Sequence, residues 1–60
     1  MVDLKEKRLA KGLTQEQLSE MVFIGRKSIS LYECGKRRPS VEMAKLLGKV
    51  LEFDWTEIFE

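Results

Sequence analysis

Between Leu13 and Glu33 the chain reads LTQEQLSEMVFIGRKSISLYE, and this stretch fixes most of what the molecule can become. Thr14 with Gln17 three residues on forms a capping box, which starts a helix. Leu18, Met21 and Val22 then recur at i, i+3 and i+4, one face of that helix. Phe23-Ile24-Gly25 interrupts it. A second helix starts at Arg26 with Gly25 as its N-cap and runs to about Cys34, with Ile29 and Tyr32 inward and Gly35 as its stop. Two helices this short cannot bury their apolar faces alone. They must pack on each other and on the rest of a small chain.

The flanking segments continue the helical pattern. Asp3 caps a first helix over about Asp3–Lys11, ended by Gly12, with Leu4, Leu13 and part of Leu9 as anchors. Ser40 follows Pro39 and caps a fourth helix running to about Leu51. Asp54 with Glu57 reads as a further capping box, opening a short last turn with Trp55, Ile58 and Phe59. No period-2 alternation marks a strand, so the expectation is an all-α fold, a compact single domain over residues 1–60 with five helices.

Sixty residues bury little, roughly 60% of the unfolded surface, so such a domain needs added support. Cys34 is the sole cysteine, which excludes an internal disulfide, and histidine is absent, which removes the usual zinc ligands. No cofactor is expected. A partner chain is the remaining source of support. Without a long apolar run or a signal peptide, the expected location is the cytoplasm, with no membrane partner. The length leaves no room for an enzyme or small-molecule domain. Serine and cysteine lack a plausible base, and no phosphate-binding glycine loop occurs.

The net charge of +1 hides a polarity. Residues 1–38 hold nine basic and five acidic side chains, and residues 39–60 hold two basic and five acidic. A basic front and an acidic back suit a particle whose first part faces phosphate. The helix from Arg26 sharpens this. Its solvent-facing set is Arg26, Lys27, Ser30 and Leu31. Two cations in a first turn oppose the helix dipole, which suggests a use for them.

The Gly12-Leu13-Thr14-Gln15 entry, Leu18, small Ser19, Ile29, Ser30, Glu33, the GKRRPS stretch from Gly35 to Ser40 and the closing LEFDWTEIF stand in a distinctive order. In that order the chain resembles the lambda-repressor-like (Cro/cI-type, XRE) helix-turn-helix family, from Leu4 to Phe59. The resemblance implies five helices, with the second and third forming a DNA-reading unit. It further implies a sequence-specific transcriptional regulator, of bacterial or phage type. Arg26 and Lys27 would then meet base edges or phosphates, since such helices read DNA with their N-terminal residues. Leu31 could meet a thymine methyl. Gln15 would touch backbone phosphate and brace the reading helix. Lys36, Arg37 and Arg38 would clamp phosphates, with Ser28 as a further donor. Arg8 and Glu33 would form a salt bridge between the first and third helices, an orienting element.

Two positions depart from the family pattern. Phe23 stands where relatives carry a turn glycine, and Glu52 where many carry glycine before the last turn. Either Phe23 accepts a left-handed backbone, or the turn shifts so that Gly25 takes the special geometry.

The fourth helix is unusually apolar. Val41, Ala44, Leu47, Gly48 and Leu51 form a stripe for the core. Met43, Leu46 and Val50 form a second stripe beside Phe53, Trp55 and Phe59. That second surface suits a two-fold homodimer, which would set two reading helices about one DNA turn apart on a pseudo-palindromic operator. A second reading keeps the same DNA reader in an antitoxin-like or controller protein that holds a protein partner on this face. A third is a protein-interaction module without DNA, against which the cations of the reading helix and basic loop count.

Overall fold

The computed structural model describes residues 2–60; the expected domain of residues 1–60 therefore includes one residue, Met1, outside the described ones. Four α-helices follow one another: α1 (Leu4–Ala10), α2 (Gln15–Met21), α3 (Arg26–Glu33) and α4 (Val41–Leu51). The expected fifth helix is present as a single 3₁₀ segment, Trp55–Phe59, not as an α-helix. No strand occurs among the described residues.

Each α-helix starts where the sequence places a cap. Asp3 Oδ1 accepts from the Glu6 amide at 3.1 Å, and Ser40 Oγ from the Met43 amide at 3.1 Å. Thr14 and Gln17 form the reciprocal box, at 3.0 Å and 2.9 Å. Gly25 caps α3 with no side-chain bond. The box expected between Asp54 and Glu57 does not form. Asp54 Oδ1 instead accepts from the amide and hydroxyl of Thr56, at 3.0 Å and 2.7 Å, because the Glu57 amide that a box would use donates to the Asp54 carbonyl in the first 3₁₀ turn, at 3.0 Å. The Thr56 hydroxyl, and after it the Thr56 amide, hold the Asp54 carboxyl below its ordinary pKa. This cap therefore acts fully above the ordinary carboxylate range and is lost as pH falls through the lowered value.

Helices α2, α3 and α4 stop in one way. The amide of Ile24 donates to Ser19 O, that of Lys36 to Leu31 O, and that of Phe53 to Gly48 O, at 3.1, 3.0 and 3.0 Å. This closure puts the preceding residue in the left-handed region. Gly35 fills it at φ +76°, but Phe23 and Glu52 fill it at +61° and +57°. The question at the turn is thus resolved: Phe23 takes the strain, and Gly25 stays extended at φ −72°. The Phe23 side chain is 85% exposed, so little packing offsets that strain. Phe23→Gly is expected to stabilise the domain by about 1 kcal/mol, raising Tm by roughly 4–8 °C in a thermal melt. An unchanged or lower Tm would show that the phenyl ring makes a compensating contribution.

The core gathers Leu4, Leu18, Val22, Ile29, Leu47 and Leu51. Leu13, Ile24, Tyr32, Met43, Val50, Phe53 and Ile58 pack around it, half-buried. Three expected core residues fall outside. Leu9 is 57% exposed because α1 turns Leu4 and Arg8 inward, and Leu9 lies about 120° round from that line. Met21 is 47% exposed because α2 packs along Leu18, Ser19 and Val22, where small Ser19 admits α3. Val41 is half exposed, at the margin of the line through Ala44, Leu47, Gly48 and Leu51.

Gly48 has a different reason to be glycine. A Cβ there would lie 2.8 Å from the Phe53 carbonyl oxygen and 2.9 Å from Trp55 Cβ. The chain after α4 folds back directly across this backbone.

Candidate nucleic-acid interface

Arg8 organises the site from beneath. It is only 7% exposed, and its guanidinium meets Glu33 through two bonds, Nε to Oε2 at 2.7 Å and Nη2 to Oε1 at 3.2 Å. Its Nη1 donates to the Leu13 carbonyl at 2.8 Å. Gln15 Nε2 donates to Glu33 Oε1 at 3.1 Å. One buried carboxylate thus ties α1, the start of α2 and the end of α3 together. Charge-assisted bidentate bonds of this kind are directional, so they fix angles between helices. The ion pair that the resemblance implied is present. Its link to Gln15 could not be read from spacing, because the two residues stand 18 apart and meet only when α2 and α3 cross.

Gln15 and Arg26 line one open cleft of about 650 Å³ between the end of α1, the start of α2 and the start of α3. Arg26 and Lys27 are both exposed on the first turn of α3. Neither has an acidic partner within ion-pair distance among the described residues. Ser28, Ser30 and Leu31 follow on the same helix, all half-buried; the leucine is less open than its place in the solvent-facing set suggests.

Lys36, Arg37 and Arg38 are exposed in the loop after α3. They do not share one direction. Arg37 Nη1 donates to Ser28 Oγ at 3.4 Å, so this side chain reaches back along α3. The Arg38 guanidinium lies over the Phe59 ring, 5.7 Å from its centroid. Neither contact has a sequence signal, since each joins residues distant along the chain.

The expected interface residues at the C-terminal end divide in two. Met43, Val50 and Phe53 pack against the molecule's own core. Leu46 is 37% exposed. Trp55 and Phe59 are half-buried and meet edge to face, 6.2 Å apart at 82°. Lys45 from α4 covers the Trp55 ring at 5.4 Å. At the far corner, Lys11 and Glu52 pair across the ends of α1 and α4.

Among the described residues no cluster of His, Cys, Asp and Glu could hold a metal ion, and no helix is long and apolar enough to cross a membrane.

An inwardly braced pair of short helices with an open, cationic start to the second defines a helix-turn-helix protein. The helix-turn-helix family model matches residues 4–58, and the chain belongs to this family, of the XRE type, whose members are DNA-binding transcriptional regulators. It is 47% identical over 57 residues to the HTH-type transcriptional regulator YqaF of Bacillus subtilis, covering 95% of this chain and 75% of that one. It is 44% identical over 46 residues to the HTH-type transcriptional activator BcrR of Enterococcus faecalis, covering 77% of this chain and 22% of that one. No solved structure matches at a significant level.

Proposed function

We propose that the chain is a sequence-specific regulator of transcription that lays α3 in the major groove of double-stranded DNA. The observation that carries this reading is the pair Arg26 and Lys27, exposed and without acidic partners, on a helix held in place by the Arg8–Glu33–Gln15 network. Either side chain can donate to guanine O6 and N7. Gln15, across the cleft from Arg26, gives one Nε2 hydrogen to Glu33 and has a second to offer a phosphate, beside its backbone amide in the first turn of α2. Ser28, Ser30 and Leu31 continue the contact surface along α3, and Lys36 and Arg37 add phosphate contacts. Bacterial or phage DNA in the cytoplasm is the expected target, with no cofactor or small ligand.

The same reading includes a two-fold homodimer. Leu46 and the parts of the half-buried Trp55–Phe59 pair left open beside Lys45 and Arg38 supply the outward apolar surface, and Met43, Val50 and Phe53 back it from the core side. A sedimentation mass of one chain at tens of micromolar, with and without DNA, would remove the dimer from this account. The aromatic pair also favours the second reading, in which a different protein occupies this face and the DNA reader is unchanged.

Fluorescence anisotropy on duplex DNA tests the reading directly. Affinity should fall steeply with salt, because phosphate contacts release counterions. Arg26→Ala should cost about 1–3 kcal/mol on a preferred site and relax the preference at one base pair. Weak binding that neither salt nor Arg26→Ala changes would reject it.

A further inference from the structure

We propose that Arg38 is a positioning residue of the basic loop and not one of its phosphate contacts. Phe59 holds its guanidinium toward the C-terminal turn, and that grip aims Arg37 along the reading helix. The proposal rests on the DNA-binding reading above.

Three observations lead here. First, the two adjacent arginines diverge: Arg37 reaches Ser28 on α3, and Arg38 reaches the Phe59 ring. Second, the loop has few other fixings. The amides of Lys36 and Arg37 both donate to Leu31 O, at 3.0 and 3.3 Å, and Pro39 has no amide hydrogen to donate. Pro39 is buried, but Arg37 and Arg38 edge a partly open pocket of about 140 Å³ with Tyr32 and Ile58, so their side chains are not packed against the core. Third, Phe59 is itself anchored. Its ring meets Trp55 edge to face, Lys45 covers the other ring, and the Trp55 backbone lies against Gly48 of α4. A line of contacts therefore runs from α4 through two rings to Arg38. Arginine suits this use, since its planar, weakly hydrated guanidinium stacks on aromatic faces.

The test is a double-mutant cycle in DNA affinity, measured by anisotropy over a salt series with the full chain. Arg38→Gln and Phe59→Leu should each weaken binding by about two- to five-fold with the sedimentation mass unchanged, and the double variant should be no weaker than either. Phe59→Tyr, which keeps a ring, should restore binding. The slope of log affinity against log salt should change by the same amount in Arg38→Gln as in Phe59→Leu, which removes no charge, whereas Lys36→Gln should lower it by about one whichever residue stands at 59. Additive losses, or a slope lowered by about one in Arg38→Gln with no effect of Phe59→Leu, would overturn the proposal and make Arg38 an ordinary phosphate contact. Total absence of salt-dependent binding in the unchanged chain would overturn the DNA-binding reading instead. The same cycle in thermal unfolding then decides the grip: coupled losses uphold it, and additive ones reject it.

Discussion

Arg8→Ala is expected to destabilise the domain by about 3–5 kcal/mol, the largest effect of any single substitution considered. The alanine leaves the Glu33 carboxylate buried with only the Gln15 amide beside it, and it frees the Leu13 carbonyl. An uncompensated buried charge costs far more than an intact pair contributes, because neither water nor a counter-charge replaces the lost partner. In a domain of this size, each kcal/mol shifts Tm by roughly 4–8 °C, so the melt should fall by about 12 °C or more. DNA binding should weaken as well, since Gln15 and the end of α3 lose their common anchor. Replacing both partners with apolar residues, as in Arg8→Met with Glu33→Leu, should recover much of the stability and little of the DNA affinity. Apolar packing can hold the helices together without fixing Gln15. A single alanine variant that melts with the unchanged chain would mean that the pair orients nothing.

Gly48→Ala carries the second large effect, and its sign opposes the usual expectation. Alanine in a helix interior normally gains about 1 kcal/mol over glycine. Here the added methyl would press on the Phe53 carbonyl and on the Cα and Cβ of Trp55, at 2.8, 3.2 and 2.9 Å. Those atoms are main chain or fixed to it, so no rotamer change relieves the clash. Overpacking of this kind costs about 1–3 kcal/mol, enough to cancel the helix gain and leave a net loss. The last turn should lift from α4, which the fluorescence of Trp55, the sole tryptophan, would report as a shift to longer wavelength. A stabilised variant with unchanged emission would show that the turn does not sit against Gly48.

What the sequence made legible here follows the range of the interactions. Caps are local: Asp3, Thr14 with Gln17, Gly25 and Ser40 each start the helix they were expected to start. Stops are nearly as local, though Phe23 and Glu52 show that the closing hydrogen bond can impose a left-handed backbone on residues that resist it. Periodicity located the buried line of α4 apart from its first member, Val41, but misplaced Leu9 and Met21. A helix face is settled by what packs against it, and small Ser19 and charged Arg8 turned two helices away from their larger apolar residues. The Asp54 cap failed for a geometric reason, since a 3₁₀ turn offers a different amide.

For the site, exposure of Arg26, Lys27 and the basic loop followed from helical position. The links between them did not. Gln15 to Glu33, Arg37 to Ser28 and Arg38 to Phe59 each depend on how two elements cross. Among these, the position of Arg38 changes the picture most, because two adjacent arginines of like appearance, Arg37 and Arg38, reach different surfaces.

Selection of bound sequences from a random pool of duplex DNA tests the central claim most directly. The account predicts an enriched inverted repeat whose half-site centres lie about 10–10.5 base pairs apart, or a multiple of that. Each half-site should contain a guanine whose preference disappears in Arg26→Ala. A pool that emerges unenriched, or a preference that Arg26→Ala leaves intact, would contradict the claim that α3 reads the DNA.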